Sequence, residues 1–109
     1  MPLLSQSARA ALPPLYSQED ATDPMIFAKL SSPESEWACY LVEGSPRGDD
    51  FLVYGLFISG GKHWGQLLLS ELETALREKG LSPSEEDYQR PVRLSELIPG
   101  MRRYRRKAG

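Results

Sequence analysis

Residues 51–58 read FLVYGLFI, a run whose only breaks in apolar character are Gly55 and the hydroxyl of Tyr54. A stretch this short, rich in aromatic and β-branched residues, reads as a strand buried on both faces and so central in a sheet. Gly55 within it predicts a bulge or a close approach of neighbouring backbone. Two alternating segments precede it. Residues 25–31 (MIFAKLS) place Ile26, Ala28 and Leu30 on one face. Residues 36–43 (EWACYLVE) place Trp37, Cys39 and Leu41 on one face, with Tyr40 and Val42 on the other. The stretches between the strands, SPES at 32–35 and GSPRGDD at 44–50, have turn compositions. After SGGK at 59–62, residues 63–69 pair back as a fourth strand. Short loops favour hairpins, which predicts an antiparallel meander.

Residues 70–79 form the principal helix. Ser70 is its expected N-cap, with Glu73 completing a capping box. Leu72, Ala75 and Leu76 supply the apolar stripe. Arg77 and Lys79 suit the negative end of the helix dipole. Gly80 fits the left-handed position after the helix, with Leu81 packing back on Leu76. A second start signal, Ser82-Pro83 with Glu85 three residues after the cap, predicts a short acidic helical turn running toward Tyr88. Residues 91–94 then read as an extended piece and 95–98 as one more turn. At the N-terminus, residues 3–12 predict one or two helical turns with Leu4, Ala8, Ala11 and Leu12 on one side. Pro13 and Pro14 end them. Leu15-Tyr16 follows as an extended anchor on the core, and residues 17–24 as an acidic loop. The fold class is therefore α+β: one domain over residues 1–100, about four mainly antiparallel strands, and the 70–79 helix packed on one face. Residues 101–109 form a basic C-terminal tail.

The bulk numbers agree with this organisation. The chain has 109 residues, 40% hydrophobic and 26% charged, which suits one modest core. No apolar run approaches the ~20 residues that span a bilayer. The N-terminus lacks the apolar centre of a secretory signal. Cys39 is the single cysteine, so no internal disulfide forms. These features predict a cytoplasmic protein. The net charge of −2 hides an asymmetry: residues 101–109 carry Arg102, Arg103, Arg105, Arg106 and Lys107 and no acid. Residues 1–100 carry 8 basic and 15 acidic side chains, a net of −7. That balance argues against a body that binds nucleic acid across a broad face.

The order of motifs resembles a family. LPPLYSQE (residues 12–19) is followed by AKLSSPESEWACYLVEG (28–44), VYGLF (53–57), LSELE (69–73), the Glu86-Asp87-Tyr88 segment and a second LSEL at 94–97. This resembles the bacterial domain-of-unknown-function family 2958, small proteins often encoded on plasmids and integrative elements. The resemblance covers residues 3–97 and not the tail. It implies a mobile-element context and carries no activity. The family pattern has an acid and an aromatic just before the helix. Here that stretch reads His63-Trp64-Gly65-Gln66-Leu67, so no role of that acid transfers.

Candidate chemistry is sparse. His63, the single histidine, is either a general base or metal ligand, or a polar residue beside a turn. Cys39, mid-strand between Trp37 and Leu41, reads as a buried, inert thiol. Asp49-Asp50 and Glu85-Glu86-Asp87 offer oxygen ligands of the kind Mg²⁺ or Ca²⁺ takes, without the spacing of a known binding loop. Neither GSPRGDD nor SGGK matches a phosphate-binding loop. No catalytic residue, metal site or cofactor is assigned.

Two features point to binding. Tyr16, Trp37, Tyr40, Tyr54, Trp64 and Tyr88 exceed what one small core needs to bury, and tyrosine and tryptophan favour interfaces. The expected partner surface comprises Tyr16, Trp37, Trp64, Asp49, Asp50, Glu85, Glu86 and Asp87. The second feature is the tail, in which Arg102, Arg103, Tyr104, Arg105, Arg106 and Lys107 suit phosphate contacts with a base stacked on the ring. They equally suit an acidic protein, the domain's own acidic body, or a solubilising role. The expected function is a noncatalytic accessory protein of a mobile element that binds another macromolecule, most simply a protein. An anti-restriction or anti-CRISPR inhibitor is one such role. The alternative is nucleic-acid binding through the tail, with metal-dependent nuclease activity as its extension. No membrane partner is expected.

Overall fold

The computed structural model describes residues 3–32 and 34–99, Gln89 by its backbone alone. The basic tail lies outside the described residues. The elements run α1 (Gln6–Ala11), β1 (Met25–Ser31), β2 (Ala38–Arg47), β3 (Asp50–Ile58), β4 (Lys62–Leu68), α2 (Leu69–Glu78), β5 (Ser84–Arg93) and α3 (Leu94–Leu97). The strands form one antiparallel sheet in the order β4-β3-β2-β1-β5. The α+β domain and the meander of the first four strands match expectation, and the sheet has five strands rather than four. The FLVYGLFI strand is interior, flanked by β2 and β4, while β2 holds the middle position.

The fifth strand replaces the acidic helical turn expected after Ser82. Residues 84–93 run as one strand along the outer edge of β1, from Ser31 opposite Ser84 to Met25 opposite Arg93. The local start signal had no apolar stripe behind it, and the edge of β1 offers a row of backbone groups that need partners. Ile26 pairs with Val92 and Ala28 with Asp87, so residues 88–91 span a single residue of β1. Pro91 lies in that bulge on an edge strand, where its missing amide hydrogen breaks no interior ladder.

The helix also starts differently. Leu68 is the N-cap, and its amide donates to Glu71 Oε1 at 3.1 Å. Ser70 is already inside the helix. Its amide donates to Asp50 Oδ1 at 3.3 Å and its hydroxyl to Asp50 Oδ2. A carboxylate from β3 therefore serves the free amides of the first turn, the role assigned by sequence to Ser70 itself. Starting at Leu69 buries that side chain with Leu72 and Leu76. The C-terminal end forms as expected. Leu81 N donates to Leu76 O at 2.9 Å and Gly80 N to Arg77 O at 3.0 Å, with Gly80 at φ 69°.

The sheet separates two apolar clusters. On one face α1 and α2 bring Leu4, Ala8, Leu12, Leu69, Leu72 and Leu76 onto Ala28, Leu30, Cys39, Leu41, Phe51 and Val53. Trp37 joins this cluster. On the other face Ile26, Ala38, Tyr40, Val42, Tyr54 and Leu56 gather with Leu94 of α3. Ile26, expected beside Ala28 and Leu30, lies across the register shift between Ile26 and Ala28 and joins this cluster instead. Leu15, Ile58, Trp64, Tyr88, Leu97 and Ile98 pack at the margins of this second cluster.

Gly55 sits where β3 lies against the backbone of β2. It pairs with Leu41 on one side and Gly65 on the other. A β-carbon there would lie 2.1 Å from the carbonyl oxygen of Tyr40. Backbone cannot move aside as a flexible side chain does. Gly55→Ala is therefore expected to cost about 2 kcal/mol or more. Chemical denaturation checks this; a variant as stable as wild type would show that the strands part without penalty.

Candidate functional site

The most unusual side chain in the sheet is Glu43, fully buried at the β2 bulge. The register shifts between Leu41 and Glu43, so that Glu43 stands opposite Tyr54 on the face away from α1 and α2. Buried carboxyl groups need hydrogen-bond donors. Here Oε1 accepts the amide of Tyr16 at 2.7 Å and Oε2 the amide of Gln18 at 2.8 Å. Gln18 extends the tie: its Nε2 donates to Met25 O at 3.0 Å and Val42 O at 3.1 Å, while its Oε1 accepts Met25 N at 2.7 Å. Leu15 N adds a bond to Ser45 Oγ at 3.2 Å. The acidic loop is thereby fastened to β1 and β2.

The fastening holds Tyr16 at φ 73°, and it is the one non-glycine residue among those described with a left-handed backbone. Such a conformation in a bulky residue persists only where its surroundings impose it. The side chain so presented is 44% exposed. Its hydroxyl accepts Gln66 Nε2 from β4 at 3.3 Å. Two residues back on β4, Trp64 stacks on Tyr54, with ring centroids 5.8 Å apart and planes at 21°. Across the face, Lys29 Nζ lies 5.4 Å from the centre of the Tyr40 ring. Tyr88 stands on β5 beyond it, its phenol pushed to a higher pKa by burial first and then by the Glu86 carboxylate. Glu86 itself is exposed opposite Lys29.

The residues expected to form a partner surface therefore divide. Tyr16 and Trp64 come together on the aromatic face, with Glu86 at its far side. Trp37 does not join them. It is buried under α2, because the 36–43 alternation turns it toward the same face as Cys39 and Leu41. Tyr40 and Tyr54, also counted among the surplus aromatics, are buried too, as the floor of the aromatic face. Asp49 and Asp50 lie at the β2–β3 turn beside the start of α2. Hydrogen bonds from the Ser70 hydroxyl and the Phe51 amide hold the Asp50 carboxyl below its ordinary pKa. Glu85 and Asp87 point to the α1 side of β5, where Ser5 caps the helix. Arg102 to Lys107 lie outside the described residues.

Catalytic geometry is another matter. Cys39 is buried and burial raises its thiol pKa strongly, so the inert reading of that residue holds. His63 is exposed on β4 opposite Phe57. Among the described residues no three His, Cys, Asp or Glu side chains gather in a way that would hold a metal ion. Compared with known proteins, the chain matches no family model, no curated protein and no solved structure.

Sequence reading missed Glu43 and Gln18. The available signal was a single acid closing an otherwise apolar strand, ACYLVE, which pattern reading assigns to the strand's wet end. It singled out Glu85 and Asp87 but missed their tie to Ser5. Ser5 Oγ donates to Glu85 Oε2 at 2.7 Å and lies 3.2 Å from Asp87 Oδ2; Ser5 N donates to Glu85 Oε1 at 2.9 Å. Hydrogen bonding to Glu85, with burial and the Glu85 charge behind it, raises Asp87 to about 6. For Glu85, burial works the other way, but hydrogen bonds from Asp87 and Ser5, with Arg9 nearby, outweigh it and lower the pKa. One proton is shared between two carboxyls.

Two predictions follow from these contacts. Glu43→Gln puts an amide group against two backbone donors, so one of them loses its acceptor. It is expected to cost about 1–3 kcal/mol and to speed hydrogen exchange at the Tyr16 and Gln18 amides. Unchanged exchange at both would refute the fastening. The second concerns pH. The folded chain holds the Asp87 proton up to about pH 6, whereas an unfolded chain releases it near 3.8. Stability from this proton is present below that unfolded value and lost as pH rises through about 6. Asp87→Asn keeps a donor toward Glu85 at every pH. The melting temperature of wild type relative to this variant should fall as pH rises from 5 to 7.5, and a constant difference would sink the shared-proton account.

Proposed function

We propose that the protein is a noncatalytic binding module whose aromatic sheet face takes a basic protein segment. The observation that carries the reading is Tyr16: a strained, exposed aromatic pinned by a fully buried carboxyl. Local strain of this kind is retained where the displayed side chain has a task. Trp64 and Lys29, both half-buried with an apolar body and a polar tip, continue the surface above the buried Tyr40 ring, the composition of binding hot spots. Charge names the partner's chemistry. The body carries −7 over residues 1–100. Glu86 is exposed opposite Lys29, and Glu19 and Asp20 follow Tyr16 in the anchored loop, the Glu19 amide donating to Tyr16 O at 3.2 Å. Arginine side chains, which both pair with carboxylates and stack on rings, suit such a surface. The family resemblance drawn from the sequence extends the proposal to an accessory protein of a mobile element, acting on a basic protein of host defence as an inhibitor.

Capture from host cells tests the reading. Wild-type protein should retain a basic protein in stoichiometric amount. Tyr16→Ala and Trp64→Ala should each weaken that complex about 30-fold, the loss of a hot-spot side chain worth about 2 kcal/mol. Arg77→Ala, on the exposed side of α2, should leave it unchanged. Binding that survives both aromatic substitutions would overturn the proposal. So would cleavage of single-stranded or duplex DNA by the protein with Mg²⁺, which would favour the nuclease reading.

A further inference from the structure

The aromatic face and the C-terminal segment are chemically matched. We propose that residues 100–109, GMRRYRRKAG, dock in cis on the aromatic face and the acidic loop beside it. The inference rests on the face identified above as the binding surface, and it names that surface's resident occupant.

Three observations support it. The first is the point of departure. Leu94, Leu97 and Ile98 belong to the cluster on the aromatic face, so the chain leaves the described structure at Pro99 already on that face. The second is the neighbourhood of that point. Asp23 Oδ1 accepts Ser95 N at 2.9 Å and Asp23 Oδ2 accepts Ser95 Oγ at 2.6 Å, which ties α3 to the loop that carries Glu19 and Asp20. A segment with five cations and no acid therefore follows, five residues on, a helix start bonded to the acidic loop of residues 17–24. The third is reach. Ten residues extend to about 33 Å. The five strands span four gaps of about 4.8 Å, roughly 19 Å in all. The segment reaches Trp64 on β4 with length to spare. Arg102 and Arg103 suit the loop carboxylates, while Arg105 and Arg106, far enough along the segment to reach β4, suit the stacked Tyr54–Trp64 pair.

The consequence is competition. A basic partner that uses the aromatic face must displace the protein's own basic segment, so the segment sets a threshold that weak or nonspecific cationic ligands fail to pass. The same docking withholds the arginines from phosphates.

The two tryptophans make the test internal. Trp64 lies on the aromatic face and Trp37 in the core beneath α2. In full-length ¹⁵N-labelled protein at low salt, the Trp64 indole N–H resonance should differ by more than a linewidth between wild type and a variant combining Arg102→Glu, Arg103→Glu, Arg105→Glu and Arg106→Glu. Added salt should move the wild-type resonance onto the variant position, since the contacts are charge-driven and exposed. Trp37 should not move, which reports that both proteins are folded. Glu19→Lys with Asp20→Lys should reproduce the variant position from the other side of the contact. Coincident Trp64 resonances in wild type and variant at low salt would overturn the proposal. A difference that fades on dilution would overturn it in favour of docking between two copies. Failure here leaves partner capture through Tyr16 and Trp64 intact, and failure of that capture leaves a positive resonance result standing.

Discussion

A buried carboxyl in the middle strand organises the sheet face that α1 and α2 leave uncovered. Glu43 has no water to turn to, so its oxygens take the amides of Tyr16 and Gln18. Gln18 in turn bonds the backbone of β1 and β2. That carboxyl joins the Leu15 amide and the Gln18 side chain in holding the acidic loop, and it is the group that accepts the amide of Tyr16 at φ 73°. The bulge at Leu41/Glu43 makes this possible by turning Glu43 onto the face that α1 and α2 leave uncovered. Gly55 opposite the bulge lets β3 approach within the distance a side chain would forbid.

The two sheet faces then take different roles. One is closed by α1 and α2, with Asp50 bonded to the first turn of α2 and Ser5 capping α1. It is a conventional core, and Trp37 and Cys39 belong to it. The other is covered only by the short α3 and the anchored loop among the described residues, and it mixes aliphatic side chains with Tyr40, Tyr54, Trp64 and Tyr88. Apolar burial stabilises both faces. The second combines it with rings, carboxylates and a lysine at the surface, which is what selective contact with a charged, planar group requires.

Much of this was legible in advance. The alternation in residues 25–31 and 36–43 and the continuous run at 51–58 set three strands, because side chains alternate across a pleated strand whatever packs on it. Gly80 and Leu81 set the end of α2 through a local backbone requirement. The aromatic surplus was read as surface, and Tyr16 and Trp64 do lie on the same sheet face. Trp37 was misplaced because exposure depends on which face the helices cover, and that is not a local property.

Sequence by itself determined what depends on neighbours along the chain: the strand periods, the helix stop, the proline break after α1, the division of charge between body and tail. Only the tertiary structure decided what depends on contacts between distant residues. Residues 82–88 carried a helix start signal, yet they form a strand because the edge of β1 needs a hydrogen-bonding partner. Ser70 looked like a cap, yet Asp50, twenty residues away, supplies the acceptor. Glu43 looked like the solvated end of a strand, yet a loop some 25 residues earlier closes over it. In each case a hydrogen-bonding group took its partner from a distant part of the chain, which no local pattern encodes.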